Sequence, residues 1–388
     1  MSIALPDAGD GSRRRRRQRR SARRLVLRLV AAAVLVVIVG GIGWLVVNGA
    51  DDGEPGVTEA SSSSTAVDPL ADEPPGLVLL RNGVGELYGA SVFAPATRSI
   101  VHVPPGALVE APSLGLVTLR DAGDVDDELV RQSLENLLGV RFARVDVLDP
   151  AALGAAIADV SPLTVDVGNA VQEVTASGRV TIVVPDGEQQ VTAEEVVPLL
   201  EAVGSGTTLE RLTRHQAFWT AYLRAGGRRV ASARALVGEP VRQRVLPVEA
   251  VAGVSGADEQ YRVDEPALAE LIARLFPSAA AAGRDRVRVQ ILNGVGVAGV
   301  AQRVQPLLVD AGGRMTLSGN ADRFDYTVTQ VVYYDDDDLP AARAIQRALG
   351  VGEVVKSLAG LEVVDVTVVV GADFMSPDSP EPEPGPEG

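Results

Sequence analysis

Residues 289–299 read VQILNGVGVAG. Val289 and Ile291 alternate with polar neighbours at the spacing of a short strand, and Asn293-Gly294 has the composition of a tight turn that tolerates positive φ. Gly296 and Gly299 then let the chain enter a helix close to a sheet, and that helix runs over 299–311 until Gly312-Gly313 stops it. Toward the C-terminus, 327–334 reads as a strand, 339–349 as a helix ended by Gly350, and 365–370 as a final strand. The alternation predicts a small α/β sandwich over 286–374, with helices on one face of a sheet. Gly294, Gly296 and Gly299 also satisfy the G-x-G-x-x-G spacing of a dinucleotide-binding turn. The unit is too small for that role and lies where nicotinamide cofactors are scarce. The weaker expectation is an anion held by the free N–H groups at the helix start.

Residues 277–285 (PSAAAAGRD) read as a hinge, and 76–276 as a first folded region. Strands are expected at 76–80, 88–93, 100–103, 142–148, 163–167 and 179–184, and helices at 128–138, 150–158, 209–223 and 265–276. Thr192 is expected to cap a further helix, with Glu194 and Glu195 in its first turn. The fold class is therefore α/β throughout. Asp335 to Asp338 read as a solvated loop capping the helix near Pro340; the competing reading is a calcium site, which needs several convergent carboxylates.

The N-terminus carries ten arginines among residues 13–28, followed at 29–47 by nineteen uncharged, mostly apolar residues. At about 1.5 Å per residue that run matches the hydrocarbon core of a bilayer. Trp44 suits the interface, and the arginines on one side with Asp51, Asp52 and Glu54 on the other place 1–28 in the cytoplasm and the bulk of the chain outside. A cleaved signal peptide is the competing reading, but its apolar core would be shorter and its cleavage site better formed. Residues 48–75, rich in Ser, Pro, Gly and acids, read as a linker, and 375–388 as a disordered Pro/Glu tail.

The 388-residue chain carries −15; without the N-terminal segment 26 basic face 49 acidic residues, or −23. So acidic an ectodomain argues against nucleic acid as a partner. With no cysteine and only His102 and His215, neither disulfides nor a Cys- or multi-His metal site is expected.

The C-terminal segments resemble the LytR C-terminal domain family. The carrying motifs are 289–299 itself, Ala311-Gly312-Gly313, Gly319-Asn320-Ala321, Val331-Val332-Tyr333-Tyr334, Ala348-Leu349-Gly350-Val351 and the closing DVTVVVGADF of 365–374. The resemblance implies a bacterial cell-envelope protein and supplies no ligand.

The middle region resembles, at lower identity, the LytR-CpsA-Psr family, whose members transfer a wall polymer from a polyprenyl-pyrophosphate carrier onto peptidoglycan. The carrying segments are 128–167 and Glu210-Arg211-Leu212-Thr213-Arg214-His215-Gln216-Ala217-Phe218. The resemblance implies that Arg211 and Arg214 bind pyrophosphate or another anion, since guanidinium forks suit phosphate oxygens. Three apart on a helix, they can face one pocket. The alternative for both is a surface pairing with Glu210 or other carboxylates. Elsewhere the family's charges are missing. Val84-Gly85-Glu86-Leu87 keeps only a Glu, Val103-Pro104-Pro105-Gly106 keeps none, and 192–206 holds no basic residue. Loss of one such donor typically costs about 10²–10³ in rate. The expectation is thus a degenerate, non-catalytic domain without cofactor, binding wall polymer, a polyprenyl-linked precursor or an envelope partner at the membrane. The alternative is an active transferase with a divergent site, which would need Mg. Oligomeric state stays open.

Overall fold

The structure is a computed structural model, and it describes residues 68–174, 178–203, 207–253, 259–277, 286–358 and 363–375. The apolar run 29–47, the hinge over 278–285, the tail from 376 and most of the linker lie outside the described residues. Among the described residues no helix is long and apolar enough to cross a membrane. Linker residues 68–75 are tied to the folded region: Arg98 donates to Asp68 at 2.7 and 2.9 Å, and Arg144 to Glu73 at 2.8 Å.

The middle region is mixed α/β. Its chain runs β1 (Gly76–Arg81), β2 (Leu87–Ala94), β3 (Ser99–Val103), β4 (Leu108–Ala111), β5 (Gly115–Thr118), α1 (Leu119–Val125), α2 (Asp127–Leu138), β6 (Arg144–Leu148) and α3 (Pro150–Ile157). It continues through β7 (Leu163–Val167), β8 (Val171–Val174), β9 (Val180–Val184), β10 (Gly187–Val191), α4 (Val196–Glu201), α5 (Thr208–Arg224), β11 (Arg242–Val245), β12 (Val248–Ala250), β13 (Tyr261–Val263) and α6 (Glu265–Leu275). The main sheet has the order β11-β3-β2-β1-β6. Its central strands β1, β2 and β3 are buried on both faces because both are covered, while the edge strands β6 and β11 carry exposed polar residues. In β1, Val78 and Leu80 join the core beneath α5, while Leu77 and Leu79 join the core beneath α2 and α6. Helix α2 starts at an Asp126 cap and ends at Gly139 in the left-handed region.

Thr192 does not cap a helix. Its hydroxyl and N–H both donate to the Glu195 carboxylate, and α4 begins only at Val196, after Glu195 and without a side-chain cap.

The C-terminal region runs β14 (Val287–Asn293), α7 (Val300–Asp310), β15 (Gly313–Asn320), β16 (Gln330–Tyr333), α8 (Leu339–Leu349), β17 (Glu353–Lys356), β18 (Val366–Val370) and α9 (Ala372–Met375). The sheet order is β15-β14-β18-β16-β17, and only β16 and β18 pair antiparallel. Helices α7 and α8 pack Val304, Leu308, Ala342 and Ile345 against Val289, Ile291, Val331, Val366 and Val368. The two edge strands β15 and β17 are additions to the elements expected from sequence.

The regions meet along α2 through buried polar groups. The Asn136 amide donates to the Met315 carbonyl and accepts from the Met315 N–H, both at 2.9 Å, so one side chain pairs with the edge strand β15. Gln305, fully buried, donates to the Gln132 carbonyl at 3.2 Å, and Arg286 reaches Asn136 O and Gly313 O at 2.5 and 2.6 Å.

Candidate functional site

Helix α5 opens with a capping box in which Thr207 and Glu210 satisfy each other's backbone N–H groups. From there Arg211, Arg214, His215, Phe218, Trp219 and Tyr222 recur at helical spacing and share the buried face. The two arginines are each 5% exposed, so neither is a surface residue pairing in solvent.

Their donors meet main-chain carbonyls at the end of α4. Arg214 Nε donates to Leu199 O at 2.9 Å and Nη2 to Ala202 O; Arg211 Nη1 donates to Glu201 O at 3.3 Å; His215 Nε2 lies 3.0 Å from Leu200 O. A helix leaves its last four carbonyls without internal partners, and cations there are favoured by the helix dipole. Three side chains of α5 thus finish α4.

The residual electrostatics are strained. Burial holds the Arg211 guanidinium down at about 10, helped by Arg120 and Arg214 and opposed by Tyr88 and Glu201. Burial also lowers Arg214, and it pushes His215 well below its ordinary value, reinforced by Arg211, so the imidazole is neutral. With Nε2 as donor to Leu200, His215 Nδ1 is a bare acceptor. Among the described residues it meets no hydrogen-bond partner, and neither do Arg211 Nε, Tyr88 Oη and Trp219 Nε1. Tyr88 is the extra residue of a bulge, where pairing passes from Leu80↔Gly89 to Arg81↔Leu87. The bulge turns Tyr88 toward α5, its ring edge-on to His215 at 6.0 Å, and burial raises its hydroxyl above the ordinary range. Gly89 is required beside it, since a Cβ there would lie 2.5 Å from His215 Cε1.

Aromatic side chains of α5 and β2 pack together along this face. Phe93, Phe218, Trp219 and Tyr222, each at most 1% exposed, lie with ring centres 4.9 to 6.0 Å apart, edge-on except for the stacked Phe218–Tyr222 pair. A cleft of about 580 Å³ lies elsewhere, against Gly139, Leu275, Phe276 and Arg286 at the junction of the two regions. Glu86, the one charge kept in 84–87, shares the Asn82 amide with Glu201, at 3.0 and 3.1 Å. At the start of α5, Glu259 accepts from Thr208 N and Oγ1 at 2.9 Å and from Tyr261 Oη at 2.6 Å. The chain's own carboxylate therefore occupies this helix N-terminus.

His102 is a packing residue, between Ser91 Oγ at 3.0 Å and Gln243 Oε1 at 2.7 Å, and burial lowers it to about 4. Asp335 accepts from Asp337 N within a short turn before α8. Among the described residues no three His, Cys, Asp or Glu side chains form a group able to hold a metal ion. In the C-terminal region Asn293 Oδ1 accepts from Val295 N and Gly296 N, closing the turn through a side chain; the positive-φ residues are Gly296 and Gly299, not Gly294. Gly294 is needed for close approach, because a Cβ would lie 2.6 Å from Val370 O.

A search of curated proteins returns no match. Solved structures similar to the chain include Bacillus subtilis TagT (14% identity, 55% of this chain and 93% of that one, TM-score 0.42). Others are the same LytR-CPS2A-psr family protein with bound octaprenyl pyrophosphate lipid (13%, 54% and 92%, 0.41) and a LytR-Csp2A-Psr enzyme from Actinomyces oris (13%, 53% and 90%, 0.39). The family model described as LytR cell envelope-related transcriptional attenuator matches residues 286–374, the region of β14 to α9, with its glycine turn and closing DVTVVVGADF. The C-terminal domain belongs to that family.

Proposed function

We propose that this chain is a cell-envelope protein, tethered by 29–47 with its bulk outside the membrane, that acts by binding rather than by transfer. One observation carries the reading: Arg211, Arg214 and His215 donate to the carbonyls of 199–202 of the same domain. Phosphoryl transfer depends on donors aimed at the transferring group. Donors that complete a neighbouring helix stabilise the fold instead. The bound partner is a wall polymer, a polyprenyl-linked precursor or another envelope protein.

A second reading, an active transferase of the LytR-CpsA-Psr type using Mg, is favoured by three buried polar atoms that meet no partner among the described residues, Arg211 Nε, Tyr88 Oη and His215 Nδ1. Buried polar atoms without partners are rare, and ligand or water groups would satisfy them. Purified full-length chain, given polyprenyl-pyrophosphate-linked glycopolymer and peptidoglycan with Mg, separates the two. The expected result is no polymer transfer. Mg-dependent transfer that disappears in Arg211→Ala would overturn the binding reading.

A further inference from the structure

Among the described residues strands β8 and β9 pair only with each other, as a two-stranded arm. The register sets Val174 opposite Val180, Glu173 opposite Thr181 and Gln172 opposite Ile182, after which Val183 is the extra residue of a bulge. Because side chains alternate along a strand, Val174, Val180, Ile182 and Gln172 share one face, and Glu173 and Thr181 the other. The arm's base is buried: Val171 and Val184 belong to the core beneath α5. Its outer part is not, with Val174 60%, Val180 57% and Ile182 59% exposed. A two-stranded hairpin with nothing on its apolar face is marginal in water, so the exposed valines and isoleucine point to a cover.

We propose that this face lies in the interfacial layer of the bilayer, at the boundary of headgroups and acyl chains, and so holds the folded unit against the membrane. The inference rests on the tether reading above. Residues 48–67 join the apolar run to Asp68, and twenty residues span at most about 70 Å, so a tether of that length leaves the bilayer within reach of the folded unit. A few β-branched side chains fall far short of the ~800 Å² per partner that a stable protein interface takes, which disfavours a second copy of the chain. The net acidity of the ectodomain opposes attraction to anionic headgroups, and Arg179 is the arm's one basic residue among 171–184, so apolar contact is the main source of binding. Contact must be shallow, because the outer edges of β8 and β9 carry unpaired N–H and C=O groups that need water.

The chain has no cysteine, so single-site labelling is clean. Full-length protein with Ile182→Cys, or with Val180→Cys as a second position on the same face, carries an environment-sensitive fluorophore in phosphatidylcholine nanodiscs. Glu173→Cys is the control on the opposite face. The expected result is a blue shift and at least a two-fold loss of emission at 182 and 180 in discs with brominated acyl chains, with little change at 173. Equal emission in brominated and plain discs overturns the inference, even with a blue shift, since the face is then in water or covered by protein. A chain retained in the discs with unquenched labels leaves the tether reading intact. A chain that does not enter the discs contradicts both.

Discussion

The two folded regions bury different chemistry. Between 76 and 276 the buried side chains include Glu135, Arg211, Arg214, His102 and His215, whereas the buried polar side chains between 286 and 375 are Gln305, Thr329 and Thr367, none of them ionisable. Ionisable groups are rarely retained in an interior without a reason, because desolvation opposes them. The difference teaches that the C-terminal core is built from apolar side chains, while the middle region buries ionisable side chains that brace its own main chain.

Three experiments break or sharpen that contrast. The largest effect is expected in the aliphatic core. Leu308→Ala on α7 removes a fully buried side chain and should cost about 2–5 kcal/mol, read by denaturant unfolding; a loss under about 1 kcal/mol would mean the C-terminal core is not the main source of its stability.

Acid is next, and it should act on the middle region only. The folded His102 titrates at about 4 against an ordinary 6.5, and His215 is lowered too, both through burial. Below pH 6.5 the unfolded chain binds protons that the folded one does not. Stability therefore is complete above 6.5 and falls as pH drops toward about 4, by about 3 kcal/mol for His102. Amide exchange should quicken in β2, β3 and α5 over that window while β14 and β18 keep their protection. Equal loss in both sheets would dissolve the comparison.

The smallest effect belongs to Tyr88→Phe. Its hydroxyl meets no partner among the described residues, so deletion should leave stability unchanged or raise it by about 1 kcal/mol. A clear loss in thermal unfolding would show that the hydroxyl is satisfied, by water or by a ligand carried through purification.

Much of the fold is legible in the sequence. The strand at Leu163–Val167 stands at its expected position, with the alternating burial that its Leu, Val and Val imply. The helices at Asp127–Leu138 and Leu339–Leu349 end at the glycines that announce them. The edge strands β15 and β17 escape such a reading, because an edge strand needs only one partner, the alternation in Gly313–Asn320 is limited to Met315 and Leu317 between glycines, and Glu353–Lys356 has only four residues. The arginines escape it for another reason. Their partners are carbonyls of 199–202, which every sequence has and none displays. One signal was available: Arg211, Arg214 and His215 continue the spacing of Phe218, Trp219 and Tyr222, so they stand on the face that must be buried. The bulge that turns Tyr88 inward has no comparable mark beyond Gly89 beside it.

Arg211 and Arg214 serve here as part of the framework, donating to the carbonyls at the end of α4. Denaturant unfolding of full-length Arg214→Ala tests that role most directly. Arg214 is 5% exposed and donates to two carbonyls of the α4 terminus, so the account predicts a loss of about 1.5–3 kcal/mol, with faster amide exchange confined first to α4. Unchanged or increased stability would contradict it, because that is the behaviour of a buried charge kept for a ligand.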